Sequence, residues 1–424
     1  MTPRSLDDWL AYISAQHPST IALGLDRVRS VIPAEAGIQP KPAKVVITVG
    51  GTNGKGSTCA ILERILLEAG YRVGLYTSPH LLRYNERVRV QGEEASDAAL
   101  VESFERVEAA RGHTPLTYFE FGTLAALDIF GRAKLDALIL EVGLGGRLDA
   151  VNIVDADVAA VVSVDLDHQA YLGNDRESIG FEKAGIYRAG RPAICGDANP
   201  PKRLVEHAES IGADLLLIGR DFRYEAHDRQ WDFIGRHGAK RALPMPALRG
   251  RWQLANASVA LAALDELRGA SALPVSLGEV KRALATVTLP ARLQVLPGRP
   301  SIVLDVAHNP HAARALADGL GDMGFYERTF AVFAMLGDKD IGGVIDAMKG
   351  RIDDWYVSAA VADRAAPVQR VAELLAERGL AGHTRSFATV EAALAEARRN
   401  AGPNDRIIVF GSFHTVAEAM SSVR

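Results

Sequence analysis

The stretch Val45-Val46-Ile47-Thr48-Val49-Gly50-Gly51-Thr52-Asn53-Gly54-Lys55-Gly56-Ser57-Thr58 decides how the chain is read. Its run of β-branched apolar residues predicts a buried strand, and the pattern from Lys55 towards Ala69 predicts a helix behind it. Between them lie glycines, a lysine and two hydroxyl residues. Glycines let backbone N–H groups converge on phosphate oxygens, the helix N-terminus adds partial positive charge, and Lys55 supplies a full one. Gly51, Thr52, Asn53, Gly54, Lys55, Gly56 and Ser57 are therefore candidate contacts to a nucleotide, with Thr58 able to assist. The loop departs from G-x-x-x-x-G-K-[ST], because the spacing before Gly54 is shorter and Gly56 separates Lys55 from the hydroxyls. A glycine-rich turn that only caps a helix is the plainer alternative. The coincidence of strand, Gly-Lys pair, hydroxyls and helix argues for phosphate.

Working outward, a second strand over 73–77 completes a β-loop-α-β unit. Apolar runs at 137–142, 158–164 and 192–195 read as further buried strands, which suits a parallel sheet covered on both faces. Residues 222–243 alternate aromatic, charged and turn residues and predict an antiparallel hairpin, followed by helices over 254–267 and 277–285. Clustered prolines at 290, 297 and 300 mark a linker, so domains are expected over 1–296 and 297–424. From Ser301 strands (302–305, 330–333, 355–357, 407–410) alternate with helices starting at Pro310, Ile341, Val368 and Val390. The expected fold class is α/β: a phosphate-loop domain with a mostly parallel sheet, plus a smaller doubly wound, Rossmann-like C-terminal domain.

Bulk properties narrow the function. With 424 residues, 48% hydrophobic and 24% charged, the chain has room for two full cores. A net charge of −4 lacks the basic surface that neutralises nucleic-acid phosphates. No run of about 18 apolar residues occurs, which argues against a membrane span. The opening MTPRSLDDWLAYI reads as an amphipathic helix rather than a secretion signal. The two cysteines, Cys59 and Cys195, have no paired spacing, so a reducing, cytoplasmic setting is expected. A monomer is the expected state.

The variant loop, followed by Thr77-Ser78-Pro79-His80 and Glu141-Val142-Gly143-Leu144-Gly145-Gly146-Arg147-Leu148-Asp149, resembles the Mur-ligase superfamily, and within it the folylpolyglutamate synthases. Gly24-Leu25-Asp26-Arg27-Val28, Leu116-Thr117-Tyr118-Phe119-Glu120, Asn152-Ile153-Val154 and Asp305-Val306-Ala307-His308-Asn309-Pro310-His311 are similar to its bifunctional branch, which also acts as dihydrofolate synthase. The resemblance spans nearly the whole chain, to Gly411-Ser412-Phe413-His414-Thr415-Val416. It implies an ATP-dependent ligase that joins L-glutamate to dihydropteroate and then to reduced folates through an acyl phosphate. Chemistry agrees, since a carboxylate is a poor electrophile until phosphorylated, and phosphoryl transfer needs charge neutralisation by Lys55 and Mg2+.

Glu141 ends an apolar strand, where open α/β sheets place ligands, although an acid beside a glycine turn can be a plain surface residue. The resemblance makes Ser78 and Glu141 ligands of one Mg2+, and Glu141, His168 and Lys183 ligands of a second. Alone, Ser78 reads as a turn residue, His168 as a hydrogen-bonded structural histidine and Lys183 as a solvated helix lysine. Relatives carry a carbamylated lysine at the position of Lys183. They commonly have threonine after the histidine, where Gln169 stands here, so the surroundings of His168 differ. Lys55, Glu141, His168 and Lys183 are thus the candidate catalytic set.

Asn256, Arg292 and Asp305 are implied ATP contacts. Ala291 replaces a frequent glycine and stiffens its loop. Asn309 and Pro310 also read as a helix start. Gly24, Leu25, Asp26, Arg27, Thr117, Tyr118, Phe119, Glu120, Leu148, Asp149 and Ala150 are implied for the dihydropteroate pocket, with Tyr118 and Phe119 equally readable as core aromatics. Two other classes share Lys55: an NTPase or kinase that drives a partner, and a nucleotide-binding regulatory module. Neither needs the long substrate-like segments.

Overall fold

A computed structural model describes residues 5–19, 21–32, 41–269 and 272–422. The predicted first strand forms as β1 (Ala43–Gly50), in which Val46, Ile47 and Val49 are fully buried. Seven further strands join it: β2 (Val73–Tyr76), β3 (Val88–Val90), β4 (Glu93–Glu94), β5 (Leu135–Glu141), β6 (Val158–Val161), β7 (Pro192–Cys195) and β8 (Asp214–Leu217). Their order is β4-β3-β2-β5-β1-β6-β7-β8. Pairing is parallel from β2 through β8, and only the short β3 and β4 at one edge run antiparallel. Continuous apolar runs are what a two-face-covered parallel sheet requires, so β1, β5 and β6 show no hydrophobic alternation.

The helix Lys55–Glu68 follows the phosphate loop and returns the chain to β2, as the sequence predicts. Glycine at position 74 admits close packing: a Cβ there would lie 2.5 Å from Leu135 and 2.9 Å from Phe130. The opening helix, Leu6–Ser14, buries Leu6, Trp9 and Ile13, with Ser5 and Asp8 forming a capping box. Residues 222–243 give β9 (Arg223–Ala226), β10 (Gln230–Gly235) and β11 (Gly238–Pro244), an antiparallel sheet of three strands rather than one hairpin. Lys240 ties it to the helix Trp252–Gly269 through a 2.7 Å pair with buried Asp265.

The second sheet has β12 (Gln294–Leu296), β13 (Ser301–Leu304), β14 (Thr329–Phe333), β15 (Asp354–Val357), β16 (Thr384–Ser386) and β17 (Arg406–Phe410), ordered β12-β13-β17-β14-β15-β16. All pairs but β12 with β13 are parallel, as a doubly wound domain requires. The chain divides into two compact units, one of Met1–Ala247 with Leu254–Val287, the other of Leu248–Gln253 with Thr288–Arg424. The division thus falls at Val287/Thr288, ahead of the proline cluster and the expected 296/297 boundary. The physical reason is that β12 pairs with β13 and so belongs to the second sheet.

No helix among the described residues is long and apolar enough to cross a membrane. Both cysteines are free and buried.

Central β5 is flanked by β2 and β1, and its Leu138 is fully buried. Leu138→Ala is expected to destabilise the first unit by about 2–5 kcal/mol. Urea unfolding followed by a probe in that unit checks this; an unchanged midpoint would contradict the assigned packing.

Candidate active site

Parallel pairing sets neighbouring strand ends side by side. Val49 of β1 pairs with Glu141 at the end of β5, and β1 also pairs with β6 on its other side. Beyond β5 lies β2, which runs directly into Thr77 and Ser78. One edge of the sheet therefore carries, in order, Ser78, Glu141, the phosphate loop and the segment after β6. This carboxyl edge is where open α/β sheets bind ligands.

The loop itself is built by two glycines in left-handed backbone, Gly51 (φ +141°) and Gly54 (φ +86°). A Cβ at Gly51 would meet the backbone N atoms of Val162 and Ser163 at 3.1 Å. One at Gly54 would lie 2.4 Å from Asn256 Oδ1 and 2.8 Å from Val162, so Asn256 packs on the loop. The Lys55 ammonium donates to the carbonyls of Gly51 (3.0 Å) and Thr52 (3.2 Å), placing its charge across the turn. Ser57 and Thr58 are buried in the first helical turn, whose N–H groups face the loop.

Glu141 is 5% exposed, and Ser78 N–H donates to its Oε2 at 3.3 Å. His168 lies in left-handed backbone (φ +51°) just ahead of the short helix Gln169–Leu172. Its N–H donates to Asp167 Oδ1 at 2.8 Å, and its ring Nε2 is 3.9 Å from that oxygen. Lys183, in the helix Arg176–Ala184, is buried. Burial, then the positive charge of Lys55, pull its ammonium down to about 7, against Asp167 and Asp149. Gly146 makes the approach to this helix possible, since a Cβ there would be 2.9 Å from the Lys183 carbonyl.

Among the described residues, no three His, Cys, Asp or Glu side chains cluster to hold a metal. The candidate set instead combines Glu141 and His168 with a hydroxyl and a lysine. Carboxylate and hydroxyl oxygens suit a hard divalent cation, and a carbamate on Lys183 would add another oxygen donor.

The three implied acceptor segments come together. Gly24 N–H donates to the Leu148 carbonyl at 3.2 Å, and Arg27 grips Glu120 through Nε at 3.0 and 3.1 Å. Glu120 also closes a capping box with Thr117 at the start of the helix Tyr118–Arg132. Phe119 packs against Gly143, where a Cβ would be 2.6 Å from its ring. Asp149 accepts from Leu144 N–H (2.8 Å) and Val151 N–H (3.0 Å), yet burial pushes its carboxyl up to about 7. Leu25 and Ala150 are buried, Leu148 is partly so, and the Asp26 side chain is fully exposed 3.6 Å from Arg29.

In the second unit, Asp305 follows β13 and accepts N–H groups from Leu293 and Ala307, each at 2.8 Å. Burial raises its carboxyl and Arg292 opposes this. The Arg292 guanidinium stands 5.3 Å from the Phe413 ring. Ala291 is left-handed (φ +58°), a conformation costing roughly 1 kcal/mol outside glycine. Asn309 caps the helix Pro310–Asp322, as its sequence context predicts.

Arg87 escapes a sequence reading. Its guanidinium stacks on Tyr84 (5.3 Å) and Tyr118 (5.5 Å) and donates to His80 Nδ1 at 2.8 Å, beside the acceptor segments. Only the antiparallel turn into β3 brings it there. Asp167, by contrast, carried a legible signal as the neighbour of His168.

A family model described as Mur ligase, glutamate ligase domain matches residues 291–413. The dihydrofolate synthase/folylpolyglutamate synthase of Escherichia coli (strain K12) is 47% identical over 418 residues, 99% of this chain and 95% of that protein. The solved structure of E. coli FolC in complex with DHPP and ADP is similar with a TM-score of 0.93 at 46% identity, covering 100% of this chain and 98% of that one. A bifunctional folylpolyglutamate synthase/dihydrofolate synthase with Mn, AMPPNP and L-glutamate bound gives 0.91 at 45% identity, with 100% of both chains covered.

Two outcomes follow from this geometry. Gly54→Ala forces a side chain into left-handed backbone and against Asn256, and should weaken ADP binding by about tenfold or more, read by calorimetry. For Lys183 in metal-free, bicarbonate-free protein, the unfolded chain holds the proton up to about 10.4 while the fold releases it near 7. The unfolded state therefore binds more protons between these values, and stability rises with pH across that window. From pH 7 to 9 the wild type should gain up to about 2.7 kcal/mol over Lys183→Met in urea unfolding, and parallel pH profiles would contradict the shift.

Proposed function

The chain belongs to the dihydrofolate synthase/folylpolyglutamate synthase family of Mur-type ligases, and on that premise we propose how its side chains divide the work. The enzyme is an ATP-dependent ligase that adds L-glutamate to 7,8-dihydropteroate, giving dihydrofolate, and further glutamates to reduced folates. The reaction proceeds through an acyl phosphate and releases ADP and phosphate. The observation that carries the residue assignment is the row along one sheet edge: Ser78, Glu141, the Lys55 loop and the His168 segment.

Lys55 and the helix start behind it hold the triphosphate, together with Gly51, Thr52, Asn53, Gly54, Gly56, Ser57 and Asn256. In the second unit, Arg292 and Asp305 serve as nucleotide contacts. Ser78 and Glu141 would hold one Mg2+, and Glu141, His168 and Lys183 a second; bound there, the ions would supply charge neutralisation for phosphoryl transfer to the acceptor carboxylate. Lys183 is suited to carbamylation because burial keeps part of its population as free amine near neutral pH. The amine nitrogen attacks CO2, a proton leaves, and the resulting carbamate carries a negative charge in place of a positive one.

Phe119 and Tyr118 flank the flat pterin, and the Arg27–Glu120 pair holds the Gly24, Leu25 and Asp26 segment against them. Leu148, Asp149 and Ala150 line the same pocket, with Asp149 held in place by the N–H groups of Leu144 and Val151. A monomer working in the cytoplasm is the setting we assign, supported by two buried free thiols and by a phosphate loop and metal-binding set drawn from one chain.

Purified protein incubated with ATP, Mg2+, glutamate and either dihydropteroate or tetrahydrofolate should yield both glutamylated products by mass spectrometry, with one ADP per amide. Lys55→Met should reduce incorporation by about a hundredfold or more. Phosphate release independent of glutamate and pterin would instead favour an NTPase.

A further inference from the structure

The apolar run 158–164 predicts a strand through Val164, but β6 stops at Val161. The next four residues run along the phosphate loop and are held from both sides by hydrogen bonds. On the inner side Thr52 N–H donates to the Ser163 carbonyl at 2.8 Å. Ser163 Oγ accepts the Asn53 N–H and donates to the Asn53 carbonyl, both at 3.0 Å. Thr52 Oγ1 does the same to Asp165, accepting its N–H at 3.0 Å and donating to its carbonyl at 3.1 Å. On the outer side Val164 N–H reaches Asp197 Oδ2 at 2.8 Å, and Arg176 binds the Val164 carbonyl and both Asp197 oxygens at 3.0 Å. A charge pair thus braces this segment from outside, while two hydroxyls clamp it to the loop from inside.

We propose that Ser163 is a positioning residue for phosphoryl transfer, its hydroxyl setting the register of the phosphate loop against the segment that carries His168. This rests on the assignment of that loop to ATP and of His168 to the metal. One oxygen holds both main-chain polar groups of Asn53, so the peptides on either side of it cannot rotate independently. The carbonyls of Gly51 and Thr52 are then held facing Lys55 Nζ. His168 follows Asp165 by three residues, so the same clamp governs how far the histidine lies from Lys55. Phosphoryl transfer is sensitive to such spacing, because a misplacement of about 1 Å costs up to a hundredfold in rate. Gly51 contributes by having no side chain at this junction.

The test compares wild type, Ser163→Ala and Ser163→Thr as full-length protein. Ser163→Ala should lower kcat by about ten- to a hundredfold and raise the Mg2+ concentration for half-saturation, leaving KM for glutamate unchanged. In nucleotide-free, metal-free protein it should also speed hydrogen exchange in the peptide spanning residues 50–58. Ser163→Thr, which keeps the hydroxyl, should restore all three readouts towards wild type. The proposal is overturned if Ser163→Ala keeps wild-type kcat, Mg2+ dependence and exchange, or if Ser163→Thr is equally impaired. Should Ser163→Ala not fold, Ser163→Cys weakens both bonds at constant size and is judged by the same readouts. A wild-type chain that incorporates no glutamate would defeat the ligase reading, whereas full incorporation by Ser163→Ala would defeat only the role given to Ser163.

Discussion

Parallel hydrogen bonding of β1 to β5 on one side and β6 on the other is the constraint from which the rest follows. Parallel strands end at the same edge, so chain segments far apart in sequence deliver their next residues to one line. The loop after β1, Glu141 after β5 and the segment after β6 are neighbours for that reason, and β2 adds Ser78. Parallel strands need long crossovers, which explains why these residues are spread over more than a hundred positions. Nothing local to any one of them specifies that the others will lie beside it.

The same edge is electrostatically demanding. Lys55, Lys183, Asp149 and Asp167 act on one another in a poorly solvated region, where an amine and a carboxyl both move towards neutrality near pH 7. Burial is the larger cause at each. An enzyme that must hold a triphosphate and divalent ions uses such a site well, since charges arriving with the substrates are screened by little water. The surrounding glycines serve geometry. Gly54 lets the loop approach Asn256 and Val162, and Gly146 lets the turn after β5 approach the Lys183 helix, closer than side chains allow.

The segments proposed for the acceptor are organised differently. They are joined by a capping box, an arginine–carboxylate pair and one backbone hydrogen bond. Glu120 acts there chiefly as a brace: it satisfies Thr117 and Arg27 and so fixes where Tyr118 and Phe119 begin their helix. The ring of Phe119 against Gly143 then links this side to the turn after β5.

The strands β1, β5, β7 and β14, the phosphate loop and the cap at Asn309 were legible in the chain, because each depends on local periodicity or on a short spacing of glycines, prolines and polar caps. The motif resemblance likewise identified the ligase family, since its residues are contiguous. Other features were decided by tertiary structure alone. β6 ends at Val161 because Val164 finds Asp197 and Ser163 finds Asn53, and β12 joins the second sheet by pairing with β13. Arg87 reaches Tyr118, and the Lys183 ammonium is pulled down to about 7, only through burial and contacts between distant segments. Periodicity records which face of an element is apolar; it carries no information about which distant partner will satisfy a hydrogen bond or exclude water from an ion.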